Sequence, residues 1–196
     1  MYTPQNFDHL LGLKGFSEQL LQNHFKLYQG YVINTNKILE ALATMEKDGK
    51  TATPEYAELK RRFGWEFNGM RLHELYFGNM TKKKTDLSQN SPLYKKMVET
   101  FGSGEKCHSV FVETGKMRGI GWVVMAYDPA GKKLFHLWIN EHDVGHLAGT
   151  VPLLIMDVFE HAFMLDYGLN RADYIKAFIE AVDWEVVQRR YDEAQM

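Results

Sequence analysis

The sequence predicts an α+β fold: an N-terminal antiparallel long helical hairpin followed by a C-terminal α/β domain with a three-stranded antiparallel sheet. Three observations predict it. Two long stretches in the first half place apolar residues at a 3.6-residue period, with only a short breaker segment between them. A polar, breaker-rich run, Thr81–Pro92 (TKKKTDLSQNSP), then divides the chain into residues 1–88 and 89–196. The second part holds strand-like runs bounded by turn residues, with helical patterns on either side.

Residues 1–15 read as an extended arm broken by Pro4, Gly12 and Gly15. Ser17 is suited to cap a helix over Glu18–Lys47, where Leu20, Leu21, His24, Leu27, Tyr28, Tyr31, Ile38, Leu39 and Leu42 recur near helical spacing. Asp48-Gly49-Lys50 ends it. Thr53-Pro54 opens a second helix to about Gly78, because proline is favoured in a first turn. That helix carries Tyr56, Leu59, Phe63, Phe67, Met70, His73 and Phe77. A short loop between two such helices makes them antiparallel neighbours. Beyond the linker, Leu93–Phe101 and Lys106–Thr114 read as short helices. Gly119–Tyr127 (GIGWVVMAY) and Lys133–Ile139 (KLFHLWI) read as strands joined by the turn Asp128-Pro129-Ala130-Gly131. Pro152–Asp157 is a third strand, and Asn170–Ala181 and Trp184–Ala194 close the chain as helices.

Composition narrows the function. The chain has 196 residues, 45% of them hydrophobic, and a formal net charge of −2, which argues against nucleic acid and anionic membranes as partners. One cysteine, Cys107, rules out an intrachain disulfide and any four-cysteine metal site. It suits a reducing compartment. No apolar run approaches the length of a membrane span. The opening MYTPQNFDHLLGLKGFS lacks a basic segment followed by an apolar one, so the expected location is cytoplasmic.

The chemistry gathers at Pro152–Tyr167, PLLIMDVFEHAFMLDY. A buried apolar run delivers Asp157, and His161 follows four residues later, within reach of the same point in one compact turn. A carboxylate and an imidazole inside an apolar segment need a partner, and a metal ion is one. His24 and His73 lie on the apolar faces of the two long helices. Each alone is ordinarily a packed core histidine. Together with Asp157 and His161 they offer three neutral nitrogens and one carboxylate, a sulfur-free set suited to iron or manganese, and also to zinc. Tyr31 lies two turns after His24 on the same face. Glu141, His142, Asp143 and His146 cluster in a loop after the second strand, able to support such a site. Glu105 and His108 form a lone Glu-x-x-His, whereas a di-iron bundle needs two with further glutamates.

These residues resemble the iron/manganese superoxide dismutases. Asp157-Val-Phe-Glu160-His161-Ala compares with the family signature Asp-x-Trp-Glu-His-Ala-Tyr. Leu165-Asp166-Tyr167, Asn170-Arg171-Ala-Asp173-Tyr174 and Asp183-Trp184-Glu185 extend the likeness, and Gly119-Ile-Gly-Trp122 looks like the family's Gly-Ser-Gly-Trp strand. The resemblance covers nearly the whole chain. It implies that His24, His73, Asp157 and His161 ligate one iron or manganese ion per subunit, with solvent as a fifth ligand. The substrate is then superoxide, converted to dioxygen and hydrogen peroxide as the metal cycles between two oxidation states. Tyr31 matches the gateway tyrosine and Trp122 an aromatic wall. Glu160 matches the residue that crosses a homodimer interface to the partner's His161, a tetramer being the alternative assembly. Arg171 matches a buried arginine near that interface.

The departures from the family pattern carry their own expectations. A glutamine usually holds the metal-bound solvent, from the second helix or from the loop after the second strand. The helix position is Gly69, and the loop has none. His142 takes the role, with His146 as the alternative. The spacing from His24 to Tyr31 is seven where the common pattern has eight, which implies an unbulged helix. The family's histidine on that helix aligns with Leu27 and its tyrosine partner with Met164, so a polar pair becomes apolar. Phe77 and Phe159 stand where two wall tryptophans usually do. The altered surroundings leave open a mononuclear metalloprotein of the same fold with another redox activity, or one that only binds metal.

Overall fold

A computed structural model describes all 196 residues. The first half is a helical hairpin, α1 (Glu18–Lys47) and α2 (Pro54–Phe77). Ser17 caps α1, its hydroxyl accepting from the Leu20 N–H, and Thr53 caps α2 by accepting from the Tyr56 N–H, with Pro54 in the first turn. Helix α1 is uninterrupted, with no wide turn between His24 and Tyr31. Its buried face runs Leu20, Leu21, His24, Phe25, Tyr28, Val32, Thr35, Ile38, Leu42. Leu27, expected on that face, is instead 37% exposed. From His24 the burial follows steps of four to Tyr28 and Val32, which turns Leu27 outward.

The N-terminal arm is not free. Residues Asp8–Leu10 form a 3-10 turn, and Phe7, Leu10, Leu13 and Phe16 enter the core. The Gln5 N–H donates to the Tyr28 hydroxyl and the Tyr2 N–H to Asn36 Oδ1, strapping the arm along α1. Four buried apolar side chains over ten residues explain why the breakers at Gly12 and Gly15 shape the arm without releasing it.

After the linker come α3 (Pro92–Phe101) and α4 (Gly104–Gly115), then β1 (Gly121–Asp128), β2 (Lys133–Asn140) and β3 (Val151–Asp157). The chain closes with a 3-10 turn at Glu160–Ala162, a single turn α5 (Met164–Tyr167), α6 (Arg171–Ala181) and α7 (Trp184–Glu193). The sheet is antiparallel in the order β2-β1-β3. Seven of the eight residues of β1 are buried, as its central position requires. β1 begins at Gly121, two residues later than the periodicity suggests, because Gly119 and Gly121 both have positive φ. A Cβ at Gly121 would lie 1.9 Å from the Ile139 carbonyl oxygen, so only glycine lets the strand enter there.

Hairpin and sheet are joined at a buried asparagine. Just past α2, the Asn79 side-chain amide donates to the Ile155 carbonyl, and its oxygen accepts from the Ile155 N–H at 2.8 Å. Asn79 thus pairs with β3 as a strand residue would. Arg190 of α7 completes the joint by donating to the Leu153 and Leu75 carbonyls. One core cluster runs through both halves of the chain. Replacing Asn79 with Ala strands an N–H and a C=O of β3 in that core, and should lower unfolding stability by about 2–3 kcal/mol in urea titration of apoprotein.

Candidate metal centre

Asp157 ends β3 fully buried, and the chain then turns sharply. The turn is not an α-helix: Phe159 is extended and His161 lies in the 3-10 turn. Asp157 divides its two oxygens. Oδ1 accepts from the Phe159 N–H at 2.8 Å and holds the turn. Oδ2 faces three imidazoles, with His161 Nε2 at 3.1 Å, His24 Nε2 at 3.2 Å and His73 Nε2 at 3.7 Å. The Tyr174 hydroxyl donates to the Asp157 carbonyl at 2.6 Å and is itself paired with Tyr76.

One donor atom from each of His24, His73, Asp157 and His161 lies within 4.8 Å of all the others. The decisive detail is at His73. Its Nδ1 is 2.6 Å from the Gly69 carbonyl, which can only accept, so Nδ1 carries the proton and Nε2 presents a lone pair. That Nε2 is fully buried and has no hydrogen-bond partner in the fold. A buried lone pair beside a carboxylate needs a cation. Three nitrogens and one carboxylate oxygen fit iron or manganese.

The electrostatics agree. Burial lowers the pKa of His24, and lowers that of His73 much further, so both are held neutral as ligands must be. Burial pushes the Asp157 carboxyl upward, but the adjacent His161 and His24 outweigh it and keep the group ionised. His161 shows the opposite balance: burial lowers its pKa, and Asp157 more than restores it.

A second hydrogen-bonded group lies beside the cluster. Trp122 Nε1–H donates to His142 Nδ1 at 3.0 Å, so the neutral ring carries its proton on Nε2. Nε2 meets the Tyr31 hydroxyl at 2.7 Å. Burial keeps His142 neutral, with a pKa lowered to about 4. Burial first, then the Asp157 charge, raises Tyr31 to about 12. Tyr31 stacks on His73 with ring centroids 5.2 Å apart. A Cβ at Gly69 would lie 2.5 Å from the Tyr31 ring, so α2 can carry no side chain there. His146 is exposed and does not reach the cluster; its Nε2–H donates to the His142 carbonyl and steadies the loop.

Phe77 meets His24 edge-on at 4.9 Å, Phe159 stacks on His161 at 5.1 Å, and Trp122 meets His73 at 4.9 Å. Glu160 is exposed on the outer flank of His161. Arg171 is half-exposed rather than buried within the chain, donating to the Met117 and Gly119 carbonyls. Leu27 and Met164 are both exposed. Glu105 and His108 lie on α4, outside the cluster. The sequence reading passed over Trp65, whose ring lies edge-on to His142 at 4.9 Å. It sits off the apolar stripe of α2, so periodicity gives no signal for it.

A His3Asp cluster between a helical hairpin and a three-stranded sheet, with a tyrosine–histidine pair beside it, is a site of the class that can hold a single non-haem metal ion. Residues 89–190 match the family described as iron/manganese superoxide dismutases, C-terminal domain. The chain is 33% identical to the iron superoxide dismutase of Aquifex pyrophilus, over 95% of this chain and 90% of that protein. It is 34% identical to manganese superoxide dismutase 2 of Haloferax volcanii, over 91% and 88%. It is also 34% identical to the iron superoxide dismutase of Cupriavidus metallidurans, over 91% and 90%. The chain belongs to the iron/manganese superoxide dismutases.

The orphaned imidazole nitrogen yields a direct test. His73→Ala should lower metal affinity by more than the roughly 10–100-fold that loss of an outer hydrogen-bond partner costs. Elemental analysis of purified protein reads it: metal near wild-type content in this variant would remove His73 from the ligand set.

Proposed function

We propose that His24, His73, Asp157 and His161 hold the metal and that Tyr31 and His142 manage protons beside it. The chain is an oxidoreductase, a superoxide dismutase that converts superoxide to dioxygen and hydrogen peroxide with one iron or manganese ion per subunit. When bound by these four residues, the metal would supply the one-electron couple that dismutation needs. The observation that carries the assignment is the buried, partnerless His73 nitrogen facing the Asp157 carboxylate.

The residues divide the remaining work. Asp157 sets the negative charge of the cluster, and its turn fixes His161 relative to His24. Reduction of the second superoxide consumes two protons, so proton delivery must be local. Trp122 fixes the tautomer of His142, which leaves an Nε2–H donor aimed at the Tyr31 hydroxyl. Tyr31 is half-buried and joins this pair to the solvent side. Both groups stay neutral across ordinary pH, so they act as oriented donors and not as permanent charges. Phe77, Phe159 and Trp122 wall the cluster with aromatic surface, which strengthens each polar contact inside it.

We assign the outer flank to a homodimer. The His161 side chain is 25% exposed, whereas those of His24, His73 and Asp157 are at most 1% exposed. Glu160 stands beside it with exposed Met164 and Leu165. A second copy covering this face would bring its Glu160 to His161, with Arg171 fixing the neighbouring loop. We further read residues 1–88 and 89–196 as two units that share the metal. No helix is long and apolar enough to cross a membrane. A single cysteine, buried and unpaired, supports a reducing compartment, and we place the protein in the cytoplasm.

Metal quantification, then superoxide assay after reloading with iron or manganese, tests the assignment. Tyr31→Phe should keep its metal while losing on the order of tenfold in turnover, because a proton donor leaves and no ligand does; joint loss of metal and activity would make Tyr31 structural. Glu160→Ala should shift the assembly toward monomer in analytical ultracentrifugation, and an unchanged assembly would move the interface elsewhere.

A further inference from the structure

Two side chains of α2 join Trp65 beside the Tyr31–His142 pair. The Arg62 guanidinium carbon lies 4.9 Å from the Trp65 ring centre, over the ring whose edge meets His142. Arg62 Nε and Nη2 both donate to Glu66 Oε1, at 2.9 and 2.7 Å. Glu66 is buried, at 3% exposure, and Asn34 of α1 donates to its other oxygen at 3.4 Å. The Arg62 side chain is about half exposed, and its Nη1 group makes no hydrogen bond within the chain.

This arrangement has a direction. A carboxylate buried near Tyr31 repels a small anion, and a fixed guanidinium on its solvent side offsets that charge and presents its positive end outward. Both charges reach the pair: Glu66 acts to raise the Tyr31 pKa and Arg62 to lower it, and Arg62 acts on His142 as well. Held by two hydrogen bonds and an aromatic face, Arg62 cannot swing away as a free surface lysine does. Building on the assignment of Tyr31 and His142 as the proton-handling pair, we propose that Arg62 steers superoxide to it, fixed by Glu66 and Trp65 and cancelling the Glu66 charge. Arg62 is a positioning residue for the substrate and does not take part in the electron or proton steps.

The experiment compares wild type with Arg62→Gln, Arg62→Lys, Glu66→Gln and the Arg62→Gln/Glu66→Gln double variant, all iron-loaded. Two quantities are read: the dependence of kcat/KM on ionic strength, and the Kd of azide, an inert anion, from the visible spectrum. Removing the cation should lower kcat/KM at low salt by about three- to tenfold, weaken azide by a similar factor, and flatten or invert the salt slope. Arg62→Lys should stay within about twofold of wild type on both, since charge is kept. Glu66→Gln should tighten azide and steepen the slope, and the double variant should fall between the singles. The Glu66→Gln background keeps the test open should an unpaired Glu66 destabilise the first variant. A slope and azide Kd in Arg62→Gln equal to wild type, or an equal loss in Arg62→Lys, overturns the proposal. Wild type that binds no metal overturns the assignment of the pair instead.

Discussion

Everything in this molecule depends on one buried carboxylate. Asp157 sits at the inner end of β3 with no solvent to stabilise its charge. One oxygen ties the backbone turn that follows, and the other gathers imidazoles from α1, α2 and that turn. The most distant of the three in sequence, His24, is 133 residues from Asp157. The hairpin must therefore dock on the sheet in one register for the charge to be compensated. Asn79 and Arg190 set that register a few residues from His73 and Asp157. Fold and site are coupled through the cost of leaving a charge unpaired in a dry interior.

Much of this was legible beforehand. The two helices could be read from periodicity and capping residues, and the strands from β-rich runs between turns, because those signals are local. The Asp157–His161 pairing was visible as a charged interruption of an apolar strand. Other features depended on three-dimensional context. The arm before Ser17 has breaker chemistry, yet it packs because Phe7 meets Phe77, seventy residues away, at 4.9 Å. Leu27 fits a helical period only if the phase is set by Leu20 and Tyr31; Tyr28 and Val32 set a different one. Trp65 and Arg62 lie on the side of α2 that a hydrophobic stripe does not describe, and Glu66 is a charge on its buried face, so the contact of Trp65 with His142 and the pairing of Arg62 with Glu66 needed the fold in place.

The Tyr31–His142 pair shows how a tautomer is chosen. An imidazole can present a donor or an acceptor from either nitrogen, and an unconstrained one would alternate. The indole N–H of Trp122 has only a proton to give, so it fixes which nitrogen of His142 accepts. The loop backbone is steadied from behind by His146. An aromatic wall residue thus also decides the polarity of the hydrogen bond to Tyr31.

The bare α-carbon at Gly69 has an evolutionary corollary. Because the Tyr31 ring fills the space a side chain would need, a polar group cannot be handed over to α2 by a single exchange at that position. Moving the donor that meets the Tyr31 hydroxyl from the loop to the helix would require Tyr31 to retreat at the same step. Any intermediate would carry either a crowded Tyr31 ring or a Tyr31 hydroxyl without its hydrogen-bond partner. The shorter path for this chain is to vary the loop, residues 140–146, which already carries the Tyr31 partner His142.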